Sequence, residues 1–348
     1  MSKTRGSESA NAGGTDGDEG PPNGTSGAGS AHPRMPMRPR AYLGLVALGV
    51  VPTLLAAVVV VPVGLLGGAG SPVGTLPVLF AASAVVGIGV ATVLGPILVD
   101  RRIDRLPDAE LDDRPAAFIE DRVATVAGEV GIDPPDVTVV RGDAANVAVT
   151  DGYRGARVVV STRLLSLPAD DRDAALRHAL VRIRSRDAAI VTASLPGLVA
   201  VETVALLATL LVGRRTERTE ADRRVNRIHG YEPERERVPP IAYTVGGALL
   251  WLLILPVWIP AVVGDRLYVA ERRRAADVAV SRVGHDERTG IANAVAFARD
   301  AAGAADWPPL FDRLSLVSMA DPETDRIRGT SSQETRVRLA RLRSKRAL

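Results

Sequence analysis

Residues 41–99 contain no charged side chain, and this run limits the possible folds more than any other feature of the chain. A helix that crosses a lipid bilayer needs about 20 consecutive apolar residues, so the run is long enough for two such helices. The stretch GGAGSPVG at residues 67–74 lies within the run and predicts a turn. We therefore expect residues 41–99 to form a transmembrane hairpin.

Two further apolar segments follow, residues 188–213 and 238–264, and Glu202 is the one charged residue in either. The alternative is that these segments are core helices of a soluble protein, which fits the first pair poorly. The third segment is weaker evidence for a membrane span because Pro196 and Glu202 lie inside it. We expect four transmembrane segments. An ionisable group inside a span usually faces protein or water, so Glu202 is either a functional residue or a protonated packing residue near the interface.

Arginines flank the first hairpin on both sides and predict its orientation. Positively charged residues favour the cytoplasmic side, so both termini and the globular domain are expected in the cytoplasm, with the chain in the cell membrane as a multi-pass protein. The loop at 214–237 disagrees, since full spans would place its many arginines outside. Either the third and fourth segments dip and return, or the rule fails there. The flanking arginines are Arg34, Arg38, Arg40, Arg101, Arg102 and Arg105.

Composition excludes several classes of function. Residues 1–40 are rich in Gly, Ser, Asp and Pro without an apolar signal core, which predicts a disordered N-terminal tail and no secretory signal peptide. The chain has no cysteine, so only His, Asp and Glu remain as metal ligands. Aromatic residues make up 3% of the chain and no basic, aromatic module is present. The lipid bilayer is therefore an expected partner and nucleic acid is not.

Residues 100–187 and 265–348 lie outside the apolar segments and together are large enough for one globular α+β domain. The first stretch begins with a helical pattern, RPAAFIEDRVATVAGEVG, and two β-branched runs, VTVV and ARVVVST, predict a hairpin before a helix that carries His178. The second predicts helices at about 265–283 and 287–301. A last, basic helix ends RVRLARLRSKRAL and is interpreted as a solvated helix near anionic lipid.

The order of these segments resembles the HtpX and CAAX prenyl protease family of membrane zinc peptidases, from residue 41 onward. In that family one helix reads His-Glu-x-x-His-x-x-x-Arg-Asp directly before a membrane segment. Here the stretch RHALVRIRSRD keeps His178, Arg186 and Asp187 in register, together with Leu180 and Ile183. Asn146 similarly falls where the family has an Asn-Ala-Phe stretch. The resemblance implies a zincin-like fold for the cytoplasmic domain.

The residues that perform the chemistry in that family are replaced. Two histidines four apart on a helix can bind one Zn²⁺, and the glutamate between them activates water. In this chain Ala179 stands at the position of the glutamate and Arg182 at the position of the second histidine. The family's third ligand, four residues before an Ala-Asp pair, aligns with Arg273. Glu271 is about 200° away around the helix and does not substitute for it. Asp277 matches the aspartate that supports the site.

These replacements predict a catalytically inactive pseudopeptidase that binds no zinc, the cofactor of active relatives, and has a binding or regulatory role. We expect His178, Arg182 and Arg273 to lie close together, with Asp277 and Asn146 as supporting residues. One alternative is an active membrane zinc metalloendopeptidase with other ligands, for example His229 or His285 beside His178. Another is a scaffold that recruits membrane protein substrates or an active paralogue.

Overall fold

The computed structural model describes residues 38–66, 72–107, 113–213, 240–301, 307–318 and 331–344. The predictions for residues 1–37 of the tail, for most of the turn at 67–74, for the loop at 214–237 and for His229 lie outside the described residues. Helix α1 begins at Pro39, so the last two residues assigned to the tail are helical.

The described chain is mostly helical, with one small sheet. The helices are α1 (Pro39–Leu66), α2 (Pro72–Ile103), α3 (Asp113–Val130), α4 (Ala169–Arg184), α5 (Asp187–Gly213), α6 (Pro240–Gly264), α7 (Ala270–Ser281), α8 (His285–Asp300) and α9 (Ser331–Arg343). The strands are β1 (Asp136–Val140), β2 (Val147–Thr150) and β3 (Arg157–Ser161). Short 3₁₀ helices occupy Thr162–Ser166 and Pro309–Phe311.

Within the described residues, four helical stretches are long and apolar enough to cross a membrane: Pro39–Leu66, Gly74–Ile103, Asp187–Ala208 and Val245–Ser281. The predicted number of four is therefore confirmed, and these helices indicate a membrane protein. They expose large apolar side chains, including Val59, Val85, Leu207 and Leu253, as lipid-facing surfaces do and water-facing surfaces rarely do. The fourth stretch passes from α6 through a π turn at Asp265–Val269 directly into α7.

Glycines on α2 allow the membrane helices to approach each other closely. A Cβ atom at Gly87 would overlap the carbonyl group of Pro52 on α1, and one at Gly95 would overlap the carbonyl group of Thr192 on α5. Small residues permit this backbone contact between membrane helices, where tight packing replaces hydrophobic burial as the source of association. Helix α2 is therefore packed between α1 and α5.

The three-stranded sheet has the order β1-β3-β2. The hairpin predicted from the two β-branched runs is wrong, because those runs form β1 and β3, which are parallel, with Val137 opposite Val158. The antiparallel partner of β3 is β2, with Val149 opposite Val158. Strand β2 is short and fully buried, so it lacks the alternation of apolar and polar residues that identifies a strand in a sequence.

One hydrophobic core joins the two stretches outside the apolar segments. It includes Leu176 and Leu180 on α4, Ile291 and Val295 on α8, and Leu342 on α9. Because α4 lies at the centre of this core, side chains on its several faces meet the sheet, α7 and α8. The turn from α4 into α5 contains Arg186 at φ 62°, a left-handed conformation that non-glycine residues seldom adopt.

Candidate functional site

His178 on α4 faces Asp277 on α7, and both side chains are buried. The His178 Nε2 atom lies 3.3 Å from Asp277 Oδ1 and 3.3 Å from Arg338 Nη2. Arg338, on α9, also donates two hydrogen bonds to Asp277, from Nε to Oδ2 at 2.8 Å and from Nη2 to Oδ1 at 2.6 Å. Three helices that are far apart in the sequence therefore meet at one buried ion pair.

Arg182 and Arg273, the two arginines expected near His178, both bind backbone carbonyl groups. Arg182, one helical turn after His178 and 2% exposed, donates to the carbonyl oxygens of Leu314 at 2.6 Å and Arg313 at 2.8 Å. Arg273 donates to the carbonyl of Asp312. Arg182 also donates to the Ser315 carbonyl at 3.4 Å, so the two guanidinium groups bind four consecutive carbonyl groups of one chain segment.

Residues 312–317, which we call the bound segment, run antiparallel to β2, with Ala148 opposite Ser315. The Val149 amide donates to the Leu314 carbonyl at 3.2 Å, and the Leu316 amide donates to the Val147 carbonyl at 2.8 Å. Since β2 is an edge strand of the sheet, the segment adds to it in the manner of a peptide bound by β-augmentation.

Asn146 and Arg338 complete the contacts with this backbone. The Asn146 side-chain amide donates to the Val317 carbonyl at 2.7 Å, and its oxygen accepts a hydrogen bond from the Val317 amide at 3.2 Å. Arg338 donates to the Leu316 carbonyl. Asn146 and Asp277 are the residues predicted to support a peptidase site. Asn146 contacts the bound segment directly, and Asp277 is connected to it through Arg338.

Burial controls the protonation of the site. It lowers the pKa of His178 to about 4, and Arg338 and Arg182 act in the same direction while Asp277 opposes them. His178 is therefore neutral at pH 7. Burial and the nearby charge of Arg273 lower the pKa of Arg182 to about 9, so Arg182 keeps its charge at neutral pH and binds carbonyl groups as a cation.

The low pKa of His178 predicts how stability depends on pH. Between about pH 6.5 and 4 the unfolded chain binds a proton at His178 that the folded chain does not, so stability falls as pH falls, by up to about 3 kcal/mol. Thermal unfolding of His178→Gln should show a smaller loss over this range than the unmodified protein. The exposed His285 provides the control, and an equal pH profile for His178→Gln and His285→Gln would contradict the prediction.

Two further ion networks attach the membrane helices to the site. Asp187, at the start of α5, accepts hydrogen bonds from Tyr268 and Arg272. On the same helix, the Glu202 carboxylate accepts a hydrogen bond from Arg313 Nη2 at 2.6 Å. The Nε atom of Arg313 donates to Asp265 at 2.6 Å. Glu202 thus faces protein and is ion-paired with an arginine of the bound segment.

The donor set does not fit zinc. Within the described part of the chain, no three His, Asp or Glu side chains are grouped as a metal ion requires. Arginine has no lone pair to offer a metal, and Ala179 is buried in the hydrophobic core. The Glu271 carboxylate lies 3.9 Å from Arg38 Nη1, at the start of α1. His229 lies outside the described residues.

The sequence did not predict a role for Arg338 or for the bound segment. Arg338 belongs to a helix interpreted as solvated, yet it is buried together with Leu339 and Leu342. No local pattern identifies its partners, because Asp277 and His178 are distant in the chain. The bound segment does carry a signal, since Leu314 and Leu316 alternate with Arg313 and Ser315 as in a half-buried strand.

Comparisons of the chain with protein-family models, with curated proteins and with solved structures give no match.

Proposed function

We propose that this chain is an integral membrane homologue of the HtpX and CAAX prenyl protease peptidases that no longer hydrolyses peptides and acts by binding. The observation that carries the proposal is the pairing of α4 with α7. On these helices His178 and Asp277 lie 3.3 Å apart, while Arg182 and Arg273, at the positions aligned with ligands, bind adjacent carbonyl groups. This arrangement agrees with the register of both motifs.

The number of side chains available to bind zinc argues against hydrolysis. A catalytic zinc ion needs three protein ligands and one open position for water, and of the aligned ligand positions only His178 keeps a side chain that can bind a metal. The positive charges of Arg182 and Arg273 would also repel a divalent cation. The residue aligned with the general base, Ala179, cannot accept a proton. No step of the zinc-dependent reaction is therefore available to these residues.

Binding is the activity that the remaining parts support. Peptide backbone receives hydrogen bonds from the edge of β2, from the Asn146 amide and from three guanidinium groups. Because these bonds involve only backbone atoms of the bound peptide, a peptide of any sequence can form them. In this chain they hold residues 312–317. A zincin-like domain of this kind would serve as a scaffold on the cytoplasmic side of the cell membrane, as the flanking arginines predict, for membrane protein substrates or an active paralogue.

The test is the zinc content and peptidase activity of the purified, detergent-solubilised protein. We expect less than roughly one-tenth of an equivalent of zinc and no chelator-sensitive cleavage of a membrane protein substrate. The single variants Ala179→Glu, Arg182→His and Arg273→Glu should also lack zinc, because each leaves the ligand set incomplete.

Stoichiometric zinc together with cleavage that a chelator and His178→Ala both abolish would contradict the proposal. That result would establish the alternative, an active metalloendopeptidase with other ligands. Zinc that survives His178→Ala would instead show a metal site elsewhere in the chain. The triple variant Ala179→Glu, Arg182→His and Arg273→Glu provides the positive control for ligand geometry, since only it supplies every residue of the family motif.

A further inference from the structure

A cluster of arginines surrounds the start of α1, where this helix enters its apolar run. Arg38 and Arg40 flank the first residue of α1 and are exposed. The positive charges of both, together with that of Arg341 on α9, act on Arg274 on α7. We call these four residues the arginine rim. Three elements that are far apart in the sequence supply it.

The arginine rim lies at the bilayer surface because of its position on α1. Residues 41–66 of this helix carry no charge and form a candidate span, so Arg38 and Arg40 mark the level at which the helix leaves the lipid. The charges of Arg38 and Arg40 reach Arg274. Arg274 and Arg341 each lie one helical turn from the hydrogen-bonded pair of Asp277 and Arg338, so α7 and α9 hold both arginines near the start of α1.

Among the described residues, the charge of the arginine rim is poorly compensated. Glu271 is the carboxylate that acts on Arg274, and it also lies 3.9 Å from Arg38. These two arginines thus share one carboxylate within the described part of the chain. The Nε atom of Arg274 is buried, and among the described residues no acceptor lies within hydrogen-bonding distance of it. A group of guanidinium charges that includes a donor without an acceptor indicates an anionic ligand. The first turn of α1 contains no acidic residue that would repel such a ligand.

We propose that the arginine rim binds the phosphate headgroup of an anionic phospholipid in the adjoining leaflet. Guanidinium groups bind phosphate oxygens with paired hydrogen bonds, and basic pockets beside membrane helices recognise such headgroups. Bound lipid would connect α1 to α7 and α9, the two helices that carry Asp277 and Arg338. The site is independent of whether the domain has lost peptidase activity, because it shares no residue with the zinc-aligned positions.

The test uses the whole 348-residue chain in neutral detergent, titrated with phosphatidylglycerol or phosphatidylcholine, with retained lipid counted by native mass spectrometry. We expect tighter binding of phosphatidylglycerol. Each of Arg274→Gln and Arg341→Gln should weaken that binding about fivefold, and the charge-conserving Arg341→Lys should weaken it less. The control is Arg299→Gln, which removes the same charge from an exposed arginine paired with Asp300 and should leave binding unchanged.

Three results would overturn the proposal: equal affinity for the two lipids, an equal loss in Arg299→Gln, or displacement of the lipid by inorganic phosphate at millimolar concentration, which would indicate a free-phosphate site. If Arg274→Gln does not fold, the exposed Arg38→Gln and Arg40→Gln variants provide the same measurement, with an expected loss of the same size. Unchanged binding in both of these variants would also contradict the proposal.

Discussion

Asp277→Asn is expected to lower the free energy of unfolding by about 3–5 kcal/mol. The substitution keeps the shape of the side chain but removes the negative charge that Arg338 binds through two hydrogen bonds. It leaves the Arg338 guanidinium buried near Arg182 and without a carboxylate. The amide group that replaces the carboxylate would also place hydrogen-bond donors against donors. The measurement is the urea or thermal unfolding of the purified protein in detergent.

The matched control is Asp173→Asn. Asp173 also binds an arginine, Arg122, through two hydrogen bonds, but the Arg122 side chain is 37% exposed. Water can solvate the guanidinium group after the carboxylate is lost, so a loss of about 1 kcal/mol or less is expected. Equal losses in the two variants would show that burial of the Arg338–Asp277 pair does not determine its contribution.

Arg182→Met is expected to lower the free energy of unfolding by about 2–4 kcal/mol. Methionine fills much of the same volume, so packing changes little. The carbonyl groups of Arg313 and Leu314 lose a cationic donor. Leu314 keeps the hydrogen bond from the Val149 amide, but a buried carbonyl group that loses its donor, as that of Arg313 does, is costly. Relief of the repulsion between Arg182 and Arg273 offsets part of this loss, which makes the expected effect smaller than that of Asp277→Asn.

Arg184→Met tests whether any arginine of α4 would give this result. Arg184 lies two residues further along, is exposed and donates one hydrogen bond, to the Val130 carbonyl; its loss should cost less than about 1 kcal/mol. Arg182→Lys should give a value between those of Arg182→Met and the unmodified protein, because lysine keeps the charge but cannot bind two carbonyl groups in a fixed geometry. A stability of Arg182→Met equal to that of Arg184→Met would refute the assigned role.

Much of the site could be predicted from the sequence because pairs of its residues are four positions apart on one helix. Positions four apart on a helix share a face, so His178 and Arg182 had to point the same way, as did Arg273 and Asp277. The hairpin failed because strand partners depend on contacts between distant segments. Strand β2 carries no alternation, and it forms through its backbone pairing with β3 on one edge and with the bound segment on the other, while α4 and α5 pack against it.

The linear sequence by itself determined which segments can enter a bilayer, because the free energy of placing a helix in lipid depends on its own length and charge. It also determined that Ala179, Arg182 and Arg273 cannot bind a metal, because ligation depends on the chemistry of each side chain. Only the tertiary structure decided what the two arginines bind. Arg338 reaches His178, and residues 312–317 reach Arg182 and Arg338, from distant parts of the chain. Buried guanidinium and carbonyl groups satisfy each other only once all of these elements have packed together.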